Sequence, residues 1–510
     1  MNQKIAIPKD ASAIILLNQD RSKVLWAQRN PKIKFLGGFH AFPGGKTDDS
    51  DAQIEVRNCG GDQDLAKFIV CAVRELFEEV GVLLVRNGEK LTKGQRASLH
   101  DDLISARSSF KEILDDWGLW IDAQDFFYTG HWTTPKFSPV RFKTRFFMAV
   151  CPPKQTPYAA ITEMLSPEFI APREALKRWE NADVLISPPV LISLQELADS
   201  RFKIQDSKSG AAVLNLESLT SNLREKSEAC DGEINYMELN PHLVCFPVRT
   251  ETLPPATHTN CFILGRDAFV VIDPASPFEE EQDLLHQYID SRIEKDEICY
   301  GIFLSHEHKD HVGGATALQQ HLHNKFGLKI EIIVHSLTAE RLPPDIKVDR
   351  FIDDLAQMKF GSSDLATQGV RVLHTPGHAR GHLCFYLEKK GFLLSSDNVV
   401  GTGTVLIAPP EGDMTDYLAS LELMKNLPGL KHLCGSHGAA VYDARGKIEE
   451  YIAHRLEREK QIIETVEQGA QTVEEIAAVV YQNLNPQLLP LAFKSISAHL
   501  AKIEKDKSKV

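Results

Sequence analysis

Two stretches of the chain concentrate side chains that could do chemistry. In GIFLSHEHKDHVGG, His306, His308, Asp310 and His311 crowd into six residues just after an apolar strand-like run. Neutral imidazoles and a carboxylate at that density suit a borderline divalent cation such as zinc, and catalytic zinc keeps one position open for water. Further on, His378 follows VRVLH, Asp397 follows FLLSS and His437 follows LKHLC, each at the C-terminal end of an expected strand. Ligands at several strand ends on one rim can converge on a pocket.

The second stretch is FIVCAVRELFEEVG, whose Phe68, Ala72, Leu76 and Val80 predict the buried stripe of a helix ending at Gly81. Glu75, Glu78 and Glu79 then stand at i, i+3 and i+4, where like charges repel by a few tenths of a kcal/mol per pair. A hard divalent cation turns that repulsion into a site, because Mg²⁺ prefers carboxylate and water oxygens and bridges to phosphates. Upstream, FHAFPGGKTDD supplies a Pro-Gly-Gly turn able to bring backbone close to a ligand.

These elements need several domains to hold them, since 510 residues exceed what one core organises. The hydrophobic content of 43% and charged content of 25% are those of a globular protein. A net charge of −13 repels polyanions except where a local patch reverses the field. Nine scattered cysteines without a C-x-x-C pair speak against a disulfide framework and for a reducing, cytoplasmic setting. Neither a signal peptide nor a membrane span is expected, because no window approaches about 18 apolar residues.

The pattern divides at composition shifts. Residues 1–205 read as α/β, with a hairpin over 12–29, a strand at RFFMAV and helices over 65–80 and 188–202; 206–232 turn polar and read as a linker in which LNLESLTSNL could form one short helix. A second α/β pattern fills 233–440, and 441–510 read as a small helical or winged-helix tail. In that tail Ile448, Ile452, Leu456, Ile463 and Val466 predict one buried helical stripe.

Arg74, Glu75, Leu76, Glu78, Glu79, Gly81 and Val82 resemble the second half of the Nudix box, with Gly45 as its opening glycine and an insertion between them. With WTTP at 132–135 and TRFF at 144–147, the segment resembles the coenzyme A diphosphatase-like branch of that family. The resemblance implies a Nudix α/β/α sandwich in which Glu75, Glu78 and Glu79 hold Mg²⁺ or Mn²⁺ and activate a water against a small-molecule diphosphate. It makes Glu79 catalytic and Glu163 an additional ligand or base.

The series H-x-H-x-D-H, His378, Asp397, His437 resembles the metallo-β-lactamase fold hydrolases, an αβ/βα sandwich. That resemblance implies two zinc ions, one held by His306, His308 and His378 and the other by Asp310, His311 and His437, with Asp397 bridging and Asp310 also catalytic. Asp273, ending FVVID, would orient the shell, and His382 would contact substrate. HRLERE, from His454 to Glu459, resembles the C-terminal segment of the family's endoribonuclease branch, which points to single-stranded RNA. Charge does not favour RNA, since 441–510 hold ten Lys/Arg and eleven Asp/Glu.

The expectation is a two-headed metal-dependent hydrolase. Its alternatives are a Nudix part that only senses a nucleotide, and a C-terminal head that is a glyoxalase II-like thioesterase or an iron-dependent persulfide dioxygenase.

Overall fold

The computed structural model describes residues 6–160, 163–205, 212–352 and 369–508. It divides into two compact units, Met1–Met237 and Glu238–Val510.

In the first unit, strand Lys9–Leu17 pairs antiparallel with Val24–Arg29 and Gly44–Lys46 and parallel with Phe142–Val150. Its apolar run is buried on both faces, and alternate residues serve different cores. Ile14 and Leu16 pack with Phe68, Leu76 and Phe77 of helix Gln63–Val80. Ile15 and Leu17 pack instead with Trp26, Leu191, Leu194, Leu219 and Leu223. Helices on both faces of one sheet make this unit an α/β/α sandwich. Helix Gln63–Val80 starts where the Asp62 carboxylate accepts from the Leu65 N–H and stops at Gly81, whose φ of 68° is the left-handed conformation that glycine adopts without strain.

The polar stretch expected to be a linker differs from that reading. Residues 206–211 lie outside the described residues, but Leu216–Ala229 is a helix whose Leu216, Leu219 and Leu223 enter the first unit's core. Three leucines spaced three and four apart suffice for a buried stripe inside a polar composition.

The second unit is a two-sheet sandwich. One sheet carries strands His258–Leu264, Ala268–Ile272, Ile298–Phe303 and Glu331–Val334, and the other carries Val370–His374, Leu383–Leu387, Phe392–Ser396 and His432–Gly435, each in that order. The sheets meet through contacts such as Phe303 on Phe385, at 5.8 Å between ring centroids. Helices Glu279–Ile293 and Ala315–Phe326 pack with the first sheet, while Met414–Lys425 and Ala444–Glu467 pack with the second.

Three helices close the chain: Ala444–Glu467, Val473–Val480 and Leu489–Lys507. Here the expected stripe is rotated. Ile448, Tyr451, Arg455 and Ile462 are buried, whereas Leu456, Ile463 and Val466 are exposed. The helix packs on the second sheet's core along a face that includes an arginine, a residue type that apolar periodicity passes over. No helix among the described residues is long and apolar enough to cross a membrane.

Candidate metal centre and acidic helix

The strand Ile298–Phe303 delivers His306 at its end, and the strand Ala268–Ile272 beside it delivers Asp273, which adopts a φ of 50°. Asp273 then acts as an anchor. Its carboxylate accepts from the Ser305 N–H at 2.7 Å and the Ser305 hydroxyl at 2.6 Å, and lies 2.9 Å from His311 Nδ1. Ser305 Oγ lies 2.9 Å from His306 Nδ1. One buried carboxylate thus fixes two imidazoles, one directly and one through a hydroxyl.

The same arrangement recurs around the site. His378 Nδ1 is 2.9 Å from the Leu406 carbonyl, and His437 Nδ1 is 2.9 Å from the His258 carbonyl. With Nδ1 donating outward, Nε2 of His306, His311, His378 and His437 carries its lone pair inward. His308 is the exception, since its Nδ1 stands 3.0 Å from Nε2 of both His306 and His378.

Asp397 lies between the two sets. Oδ2 is 3.6 Å from Nε2 of both His311 and His378, and Oδ1 is 3.5 Å from His437 Nε2. Asp310 approaches His437 Nε2 to 3.7 Å. Three groups have ligand atoms all within 4.8 Å of one another: His306, His308, His378; His306, His311, Asp397; and Asp310, His311, His437. His311 Nε2 and Asp397 Oδ1 are buried without a hydrogen-bond partner. Buried polar atoms are almost always satisfied, so two orphans aimed at one place fit a cation, and the nitrogen and oxygen donor set suits zinc.

Without a cation the protonation pattern divides the imidazoles: three are held neutral, while Asp397 raises His311 and His437 against their burial. Burial, reinforced by the neighbouring histidines, holds His306 well below the ordinary range and His308 at about 4. Burial also lowers His378. For His311 burial works in the same direction but is outweighed by Asp397 and Asp310, which push it well above 6.5. Asp397 is held well below 3.8 because His437 and His311 overcome the burial that would raise it. Three neutral imidazoles and an ionised carboxylate are the forms a divalent cation binds.

In the first unit Arg74 organises the acids. It is gripped by both oxygens of buried Asp51 at 2.8 and 3.0 Å, and its Nη1 reaches Glu75 at 2.8 Å and Glu78 at 3.3 Å. Glu79 Oε2 accepts from the Gly44 N–H at 2.9 Å. Gly45 is required by proximity, because a Cβ there would stand 2.4 Å from the Glu75 carboxyl carbon. Burial raises Glu75 to about 7 against the pull of Arg74, and burial and Glu75 together raise Glu79 to about 8. Burial also raises Glu78. Buried carboxylates with raised pKa values carry charge that a cation would compensate. Glu163 is exposed, its carbonyl accepts from the Asn30 N–H at 2.8 Å, and its charge adds to that felt by Glu79.

Residues 254–437 match the metallo-beta-lactamase superfamily, 61–197 the NUDT19 Nudix domain, and 472–507 the beta-lactamase associated winged helix domain. The beta-lactamase-like protein 2 homolog of Drosophila melanogaster is 30% identical over 255 residues, 49% of this chain and 82% of that protein. The chain belongs to the metallo-β-lactamase superfamily. Its first unit carries a Nudix domain. An atrochrysone carboxyl ACP thioesterase of Aspergillus novofumigatus is 27% identical over 240 residues, 44% of this chain and just 66% of that protein. A Nudix hydrolase structure from Alicyclobacillus acidocaldarius covers 38% of this chain and 93% of its own, with 29% identity and a TM-score of 0.33. Both families are metal-dependent, and the protein is a hydrolase.

Within the metallo-β-lactamase unit His382 lies directly behind Asp397. His382 is fully buried, with Nε2 accepting from the Asp397 N–H at 3.1 Å and Nδ1 3.1 Å from Thr375 Oγ1. Both ring nitrogens have partners, and the ring orients the Asp397 backbone. Sequence reasoning also missed Ser305 and the two carbonyls behind His378 and His437, for which no local pattern exists. In the Nudix unit it missed Asp51. Asp51 lies six positions after Gly45, inside the inserted segment in which the sequence alone assigned no acid.

Proposed function

We propose that the protein is a two-headed hydrolase whose metallo-β-lactamase unit cleaves an acyl thioester at two zinc ions. In this reading the Nudix unit cleaves a diphosphate bond in a nucleoside diphosphate derivative or coenzyme A with Mg²⁺ or Mn²⁺. The observation that carries the first part is the pair of three-donor groups with Asp397 between them. His306, His308 and His378 would hold one ion and Asp310, His311 and His437 the other. When bound, such ions polarise a carbonyl and lower the pKa of water toward 7.

The residues do the rest. Asp273 and Ser305 keep Nε2 of His311 and His306 aimed inward, and the Leu406 and His258 carbonyls do so for His378 and His437. In the Nudix unit Glu75, Glu78 and Glu79 would hold the cation, with Arg74 setting the first two and the Gly44 N–H the third. Glu79 would take a proton from water.

A thioester is favoured over RNA by the thioesterase names among the relatives and by the −13 net charge, which disfavours a polyanion. Nine free cysteines support a reducing compartment such as the cytoplasm.

The test incubates the intact protein with acyl-coenzyme A and acyl-carrier thioesters, single-stranded RNA, and a panel of coenzyme A, ADP-ribose and nucleoside diphosphate sugars, with elemental analysis of the same samples. Thioester cleavage with about two zinc ions per chain is expected. RNA cleavage alone would move the C-terminal head to an endoribonuclease. A single iron with oxygen consumption would make it a dioxygenase, and tight binding of a diphosphate without turnover would make the Nudix unit a sensor.

A further inference from the structure

Arg455 lies in the middle of helix Ala444–Glu467, is 4% exposed, and reaches out of the winged-helix tail into the sandwich. Its Nη2 donates to the carbonyl of Val405. The next carbonyl along the chain, that of Leu406, is the one 2.9 Å from His378 Nδ1. The same guanidinium lies 5.4 Å from the centroid of the Tyr417 ring, and the Tyr417 hydroxyl donates to the carbonyl of Asn398 at 2.7 Å. Asn398 follows Asp397 and donates to the Thr375 carbonyl at 2.8 Å. From one buried cation, short paths therefore lead to the backbone behind both His378 and Asp397.

The segment that Arg455 grips, 401–412, contains no helix or strand, so no ladder of backbone bonds fixes its carbonyls. It is pinned at separate points: Arg455 on Val405, His378 on Leu406, and Asp413 N–H on the Gly377 carbonyl at 2.9 Å. Val405 and Ile407 are buried and give the segment apolar anchorage, but apolar contact is non-directional and does not set where a carbonyl points. A buried arginine is costly to desolvate and is an inefficient way to fill space. Its directional bond to a carbonyl is what an apolar residue of similar volume would lack.

We propose that Arg455 is a positioning residue for the metal centre, holding the Val405–Leu406 backbone so that His378 presents Nε2 to its neighbours. The winged-helix tail is on this view part of the metal site's scaffold, and HRLERE serves the ligand His378 across the unit. The inference rests on the reading of His378 as a metal ligand, and the controls separate the two.

The experiment compares the full-length wild type with R455M, R455K and H378A, each loaded with zinc. Metal content and affinity are read by chelator competition well below the melting temperature, with near-ultraviolet circular dichroism confirming the fold. R455M keeps volume and loses the donor, so zinc affinity at one of the two sites should fall about tenfold or more, within the range of outer-partner losses. R455K, which keeps one donor, should recover part of it, a rescue that a space-filling role does not predict. H378A should lose that zinc outright.

If H378A retains two zinc ions, the ligand reading fails. If H378A loses zinc while R455M and R455K both bind as the wild type does, the positioning role is overturned. Should R455M fail to fold, R455Q and R455K decide: reduced affinity in a folded protein supports the role, and wild-type affinity in both removes it.

Discussion

His311 Nδ1 stands 2.9 Å from Asp273 Oδ2, and both side chains are buried. The carboxylate holds Nδ1 and so turns His311 Nε2 toward the site, and that nitrogen is one of the two orphaned atoms there.

Asp273→Asn should therefore weaken zinc at the Asp310, His311 and His437 group by about 10- to 100-fold, because the amide cannot accept from both Ser305 and His311 as a carboxylate does. Chelator competition measures it. Unchanged affinity at both sites would mean that the anchor is only packing.

His308→Ala removes the nitrogen lying 3.0 Å from both His306 and His378. Hydrolysis by the metallo-β-lactamase unit should vanish while Mg²⁺-dependent diphosphate cleavage continues, since the two sets of side chains belong to different units and share no partner. Parallel assays on one preparation check this, and joint loss in a folded protein would contradict the two-headed reading.

Gly45→Ala places a methyl group where the Glu75 carboxyl group sits. Nudix activity should drop by about 10²-fold, as expected for a catalytic group displaced by an ångström, with thioester cleavage unaltered. Kinetics of both heads decide it, and a fully active Nudix unit would show that Glu75 is not needed in that position.

Mg²⁺ binding to the Nudix unit should strengthen as pH rises from about 6 and level off above about 8. Without a cation Glu75 titrates at about 7 and Glu79 at about 8, both raised first by burial. Below those values the cation must displace protons; above them it does not. The same sign governs stability: the cation-free fold holds extra protons relative to the unfolded chain and loses stability as pH climbs from the ordinary carboxylate range to about 8. Calorimetric titration with Mg²⁺ across this range, repeated on Glu79→Gln, tests it. A flat profile in the wild type would exclude these glutamates as ligands.

The sequence by itself determined the classes of fold and picked out the donor residues that the fold gathers into three close groups, because donors packed at H-x-H-x-D-H spacing after a strand, and acids at i, i+3 and i+4 before a helix-ending glycine, are local patterns. It also determined that Gly81 ends the helix, since glycine adopts the left-handed conformation without the strain a side chain brings. Only the tertiary structure decided which way each imidazole faces, because the partners of Nδ1 are a carboxylate 38 positions away for His311 and a carbonyl 179 positions away for His437. It made His382 a prop for Asp397, and it turned the Ala444–Glu467 helix so that Arg455 is buried and Leu456 is not. Periodicity ranks residues by hydrophobicity; burial is set by what the opposite surface offers, and here that surface offers the Val405 carbonyl and the Tyr417 ring.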